Sequence, residues 1–376
     1  MTWFVVILFV MLVLLTFTVL AIMHKRRDKD MSLCKTINAF QFDQSFNNLK
    51  STEPIMSPYK EVIDANHYSI VREFADANLI FFSDYSYIDQ KIRNIPFRPS
   101  CPKYYIYAIC GSDEMASKSS LAVYLKAKGY DYLLPRTYVL NDRHDLQSLR
   151  GDHVDGTVYM VKKNVQRQEG NLITGDIEYI LKSSQDDYVV CQELLQDPYL
   201  VGGRKINMRV YMLVVSYKGE TRFYMYNNGF MYYTPGMFQK GSSERDINIT
   251  TGYIDRKVYQ ENPLTIQDFL STLDDADAYK LVDNMKKALG CVREAYADVL
   301  TSLNQGLPGV KFNVYGVDIA PDENLGVKIM EINKGPDLTY KDERDKAVKL
   351  NMVFDMFAMV GLRSPDKDKN KNFLRL

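Results

Sequence analysis

Apolar and polar positions change rhythm several times along the chain, and each change marks an element. Residues 3–23 are almost uniformly apolar and carry no charge. Such a run, wound as a helix, matches the ~30 Å hydrocarbon core of a bilayer. His24, Lys25, Arg26 and Arg27 follow at once. Positive charge after the apolar run places the remaining bulk in the cytosol. The expectation is a single-pass membrane protein: an N-terminal transmembrane helix over residues 1–24 and the rest facing the cytosol. An uncleaved or late-cleaved signal is the alternative.

Beyond the anchor the pattern divides into units. Residues 25–56 are charged and then polar, and read as a linker. Residues 57–115 read as a small α/β domain with strand-like runs at 78–82 and 103–110. Gly111-Ser112-Asp113 then opens a helix over about 114–128. Residues 116–190 form a central lobe. It has an extended stretch around Pro135, a short strand at 158–162, a polar loop at 163–170 and an apolar strand from 189. Residues 191–363 form the largest lobe. Runs at 210–217 and 221–226, joined by Lys218-Gly219-Glu220, predict a hairpin. Leu281, Met285, Leu289, Val292, Tyr296 and Val299 recur every three or four residues within a mostly helical 264–303. Strands at 311–320 and 327–333 follow, then a helix over about 340–360. Residues 364–376 read as a charged, frayed tail. There is no internal repeat.

Composition narrows the class without naming it. The chain has 376 residues, enough for two or three packed lobes. Its 47 basic and 47 acidic residues balance, which gives no reason to expect nucleic acid as partner. A 46% hydrophobic content excludes a disordered chain. The five cysteines are odd in number and form no CxxC pair, which excludes a zinc knuckle and a disulfide framework. Free thiols in a reducing compartment fit best.

The chemistry concentrates on two strand regions. Glu331 and Asn333 share a face by strand alternation. A turn centred between Asn324 and Leu325 puts Asp318 opposite Glu331. Two carboxylates and an amide oxygen then converge, an all-oxygen set suited to Mg²⁺. The alternative is a polar hairpin facing water. Against it, Phe312, Val314, Gly316 and Ala320 on the face of Asp318 are apolar or small, and a carboxylate among them needs a partner. Lys205, Asn207 and Arg209 likewise share a face and can present two cations along a polyphosphate, or simply a charged edge to water. Lys162 ends a strand before the polar loop.

These residues resemble the tubulin–tyrosine ligase-like family, of the ATP-grasp superfamily. The resemblance rests on Val190-Cys191-Gln192-Glu193-Leu194-Leu195, Asp197-Pro198-Tyr199-Leu200 and Gly203-Arg204-Lys205-Ile206-Asn207-Met208-Arg209-Val210-Tyr211. It continues in Tyr315-Gly316-Val317-Asp318 and Met330-Glu331-Ile332-Asn333-Lys334-Gly335-Pro336, in the family's order. It implies an α+β, ATP-grasp fold whose two lobes hold ATP between them. By that match Asp318, Glu331 and Asn333 hold Mg²⁺. Lys118, Lys162, Lys205 and Asn207 contact ATP, and Gln192, Glu193, Leu194 and Leu195 form the hinge against adenine. Arg209, Arg222 and Thr250 sit near the acyl-phosphate and the substrates. The implied partners are tubulin and a free amino acid: tyrosine, glutamate or glycine.

Three departures bear on activity. Asn207 stands where the family has Asp, Asn248-Ile249-Thr250-Thr251 replaces H-L-T-N, and the loop after Lys162 lacks most of the family's glycines. Three functions therefore stay open: a tubulin-modifying ligase, an ATP-grasp ligase acting on another protein, and a pseudoenzyme that binds nucleotide or tubulin without catalysis.

Overall fold

Two β-sheets organise the protein, and the composition of their strands explains which faces they bury. The computed structural model describes residues 37–42, 54–97, 103–165, 170–252, 254–363 and 372–376. β1 (Asn38–Phe42), α1 (Tyr59–Ala65), β2 (Ser69–Ile70), β3 (Leu79–Phe82), α2 (Ile88–Arg93) and β4 (Tyr105–Tyr107) open the chain. β1, β3 and β4 run parallel and are buried on both faces. That explains their near-continuous apolar composition.

A helical turn at Ser112–Met115 leads into α3 (Lys118–Ala127), which the Ser117 hydroxyl caps by accepting from the Ser120 amide. The single helix expected over 114–128 is thus broken in two. Next come β5 (Thr137–Val139), α4 (Arg143–Asp152), β6 (Tyr159–Lys163), β7 (Asn171–Thr174) and β8 (Tyr188–Glu193). The four strands make a small antiparallel sheet in the order β5-β8-β6-β7.

β9 (Leu200–Val201), β10 (Arg204–Tyr217), β11 (Glu220–Tyr233), α5 (Asp275–Asn304), β12 (Val310–Pro321), β13 (Val327–Asn333), α6 (Glu343–Met359) and β14 (Phe373–Arg375) complete the chain. β10 and β11 turn through Lys218 and Gly219, both at positive φ (49° and 76°). This primed turn matches the twist of the strands. The hairpin is longer than expected because pairing continues past an irregularity between Val210 and Met212. On α5 the buried stripe runs through Leu281, Met285, Leu289, Val292 and Tyr296 to Leu300 rather than Val299.

β12 is the axis of the large sheet. One edge pairs with β10 from Met208↔Ile319 to Ser216↔Lys311. The other edge is divided: its start runs parallel to β4, and its end runs antiparallel to β13. The strands at the start of the chain therefore join the same sheet as the largest lobe.

Three expectations are corrected. Residues 38–42, read as linker, form β1, paired with both β2 and β3. Their Ala-Phe-Gln-Phe run is too short to stand out among polar neighbours. The tail is not frayed to its end, because Phe373–Arg375 pair with β11 and Phe373 packs on Tyr226. The membrane placement is also withdrawn. No helix among the described residues is long and apolar enough to cross a membrane. The anchor expected at residues 1–24 lies outside the described residues.

Candidate active site

Strand alternation places Lys205, Asn207 and Arg209 on one face of β10. The register carries that face across the sheet: Arg209 pairs with Asp318, Asp318 with Glu331, and Gly316 with Asn333. Asp318 and Glu331 are opposed as expected, but by a different route. Pro321 pairs with Val327 and Ala320 with Lys328, so the turn is centred on Asn324. The register then shifts at Met330, a bulge that inserts one residue before Glu331. The turn is set by Asp322, whose Oδ1 accepts from the amides of Asn324 and Gly326 at 2.9 and 2.8 Å.

The carboxylates are tightly partnered. Arg209 donates from Nε to Asp318 Oδ1 at 2.5 Å and from Nη2 to Oδ2 at 3.0 Å. The guanidinium also lies 5.1 Å from the centre of the Tyr232 ring. Gly316 makes this possible, since a Cβ there would sit 2.9 Å from Arg209 Cδ. The Asn333 amide donates to Glu331 Oε1 at 3.0 Å. Lys118 Nζ lies 3.8 Å from Glu331 Oε2. Burial pushes the Asp318 carboxyl up to about 6 against the pull of Arg209, with Glu331 adding to the rise. Burial also raises Glu331, but Lys118, the Asn333 bond, Lys162 and Arg209 outweigh it and hold the group below its ordinary value.

The small sheet and α3 supply the opposing wall. Lys118 donates from Nζ to Val165 O at 2.8 Å, and Lys162 from β6 donates to Met330 O at 3.5 Å. Lys162 is buried, which lowers its ammonium to about 8. A cavity between the walls is lined by Ser117, Lys118, Lys162, Gln192, Met330 and Glu331. Its free volume is about 10 Å³, room for about one water molecule. Gln192 Nε2 donates to Thr137 Oγ1 at 2.9 Å, while its buried Oε1 has no partner among the described residues. Glu193 and Leu194 follow, their amides donating to Arg136 O and Val158 O at 3.0 Å each. Leu195 continues the same stretch, half-buried.

Lys205 stands further along β10. Its Nζ donates to Asn248 Oδ1 at 2.9 Å and lies 4.7 Å from the Phe238 ring centre. Burial alone lowers it to about 8. Neither Lys162 nor Lys205 pairs with a carboxylate within 4.0 Å among the described residues. Thr250 is buried two residues after Asn248. Asn207 is half-buried opposite Tyr232, and its amide has no hydrogen bond among the described residues.

Arg222 is not brought to this cluster. It pairs with Val215 in the sheet register, six residues along β10 from Arg209, a separation of roughly 20 Å at ~3.3 Å per residue. There it binds Glu220 at 2.8 Å on the surface. Sequence reading also passed over Lys334, which ion-pairs with Asp113 just beyond Asn333. Its position next to Asn333 was the available signal.

Fold and site together define a two-sheet α/β protein in which buried cations on one wall face paired carboxylates on the other. Within that class, the chain belongs to the tubulin-tyrosine ligase family, whose profile matches residues 106–371. It is similar to the tubulin polyglutamylase TTLL6 of Homo sapiens, 23% identical over 69% of this chain and 31% of that protein. A probable tubulin polyglutamylase TTLL9 of Rattus norvegicus is 27% identical over 48% of this chain and 40% of its own length. The tubulin monoglutamylase TTLL4 of Mus musculus is 27% identical over 48% and 17% respectively. The chain thus spans well under half the length of these relatives.

Proposed function

We propose that the chain is an ATP-grasp carboxylate–amine ligase that adds an amino acid to a carboxylate of a tubulin tail, using ATP and Mg²⁺. Of tyrosine, glutamate and glycine, glutamate is favoured because the similar proteins above are named glutamylases. The observation that carries the reading is the row Arg209, Asp318, Glu331 and Asn333 facing Lys118 and Lys162.

The residues fit the groups the reaction needs. Two carboxylates and an amide oxygen are the donor set of a hard cation. Bound by Asp318, Glu331 and Asn333, Mg²⁺ would offset the charge of the phosphates. Lys162 and Lys205 are buried ammoniums without carboxylate partners within 4.0 Å among the described residues, a state that favours an anionic ligand. Gln192 Oε1, without a partner among the described residues, suits a ligand with a donor, as the adenine amino group has. The 10 Å³ cavity requires the walls to part before a nucleotide enters.

In the reaction, a carboxylate oxygen of the acceptor attacks the γ-phosphorus and ADP leaves, giving an acyl-phosphate. The amino group of the free amino acid attacks the acyl carbon, phosphate leaves, and the amine proton passes to solvent. Lys118, Lys162 and Arg209 stabilise the charge that builds as two anions meet. Asn207 sustains a second reading, a nucleotide- or tubulin-binding protein without catalysis, because an amide replaces the family's carboxylate at that position.

The test is to incubate the protein with ATP, Mg²⁺, tubulin and each labelled amino acid, and to read the tubulin tails by mass spectrometry. A mass gain of one or more glutamates supports the proposal, and a different residue mass reassigns the amino acid. ATP-dependent labelling of another protein but not tubulin moves the acceptor. Nucleotide binding with no incorporation leaves the binding reading. Changing Glu331 to Gln abolishes turnover; unaltered turnover would sink the assignment of the metal site.

A further inference from the structure

We propose that this site is charge-compensated by its own cations, so that divalent metal and nucleotide bind as one unit and each binds poorly alone. The inference rests on the ligase reading above and adds to it how the ligands are admitted.

Every oxygen of the two carboxylates has a protein partner. Both oxygens of Asp318 accept from Arg209, at 2.5 and 3.0 Å. Glu331 Oε1 accepts from Asn333 at 3.0 Å, and its Oε2 faces Lys118 Nζ at 3.8 Å. Arg209 and Asp318 are nearly buried, with 12% and 10% of their side chains exposed. The charges of Lys118 and Arg209 therefore cancel those of Glu331 and Asp318. Lys162 adds one further positive charge, with no carboxylate within 4.0 Å among the described residues.

This balance decides what can enter. A divalent cation alone must displace Lys118 from Glu331 and leaves three positive charges on a poorly solvated site. A tetra-anionic nucleotide alone must draw Lys118 and Arg209 from carboxylates that stay behind unpaired, a costly state for buried charge. A metal–nucleotide complex with a net charge of two negatives exchanges partners on both sides at once. The metal takes the carboxylates while the phosphates take the released lysine. The site then ends within one charge of neutral. Lys118 is the placeholder in this exchange. It sits at the start of α3, and its Nζ also donates to Val165 O at 2.8 Å.

The coupling is measurable on the full chain without turnover. Binding is measured by calorimetry for ATP with Mg²⁺ and for ATP in EDTA, and by electron paramagnetic resonance for Mn²⁺ with and without a non-hydrolysable ATP analogue. Each ligand is expected to bind at least roughly tenfold more tightly in the presence of the other, within the usual range of coupling between sites. Lys118→Met is expected to tighten Mn²⁺ alone, because Glu331 loses its cation, and to weaken ATP with Mg²⁺. Lys118→Arg restores the wild-type pattern and controls for folding. Independent binding of metal and nucleotide overturns the proposal, as does a Mn²⁺ affinity that Lys118→Met leaves unchanged or weakens. Failure of ATP with Mg²⁺ to bind at all overturns the ligase reading, and this inference with it.

Discussion

At the scale of single residues, the site depends on one glycine and two buried lysines. A methyl group at Gly316 would meet Arg209 Cδ at 2.9 Å and both Arg209 Nη1 and Pro336 Cβ at 3.1 Å. Gly316→Ala is therefore expected to push Arg209 off Asp318, at a cost of about 1–3 kcal/mol. A lower melting temperature together with loss of ligase rate would show it; an unchanged rate would mean that the Arg209–Asp318 pair is dispensable. Lys162 and Lys205, both lowered to about 8, set a pH dependence. Each is charged below that value and neutral above it. Affinity for nucleotide is accordingly expected to fall as pH rises through 8, and titrations at pH 7 and 9 test this. The fall should shrink in Lys205→Met, where only Lys162 still titrates.

At the scale of elements, one lysine is buried for a structural reason. Lys311 on β12 is 1% exposed, and its Nζ donates to Asn304 O at 3.3 Å and Leu307 O at 2.7 Å. It caps the C-terminal end of α5, where a helix leaves carbonyls without partners. Burial lowers it from 10.5 to about 8. The unfolded chain therefore holds more protons over this range, and stability is expected to rise from pH 8 toward 10. Opposition begins above pH 9, where the buried thiols of Cys110 and Cys191, raised by burial, keep protons that the unfolded chain loses, and the buried tyrosines add to it above pH 10. Chemical denaturation across that window should show the rise, and Lys311→Met should reduce it, with Lys162 and Lys205 supplying the remainder.

Much at this level was legible in the sequence. Strand parity grouped Lys205 with Arg209, and Glu331 with Asn333, because alternation needs no tertiary information. The motif order singled out Gln192, which the structure places in the wall of the cavity. What escaped was whatever depends on counting across a turn. The bulge at Met330 altered the route to the Asp318–Glu331 pair, and the irregularity in β10–β11 let the hairpin run on. Arg222 was misplaced for the same reason: a linear motif does not fix how far along its strand a residue lies.

At the scale of the whole molecule, the family profile begins at residue 106, inside β4, whereas the sheet extends back to β1. Removing residues 1–105 would take away β1, β2, β3 and the first residue of β4, and with them Ala39, Leu79 and Phe81 of the main core, leaving Tyr107 without the Phe81 ring it packs on. A chain starting at residue 106 is therefore expected to lose its cooperative melting transition or to aggregate, while one starting at residue 37 keeps it. Calorimetry of the two distinguishes this from an independent N-terminal domain, for which the shorter chain would melt as before.

The divided edge of β12 also predicts how the molecule breathes. Its twelve residues are all buried, and three other strands hold its two edges. Its amides should be among the last to exchange deuterium, opening only with global unfolding. The small sheet, joined to the large one by lighter contacts such as Lys162 to Met330 O on β13, should exchange far sooner. Asp318 would then stay fixed on the slowest-exchanging strand while the opposite wall swings, so that the nucleotide is met by one mobile jaw and one anvil.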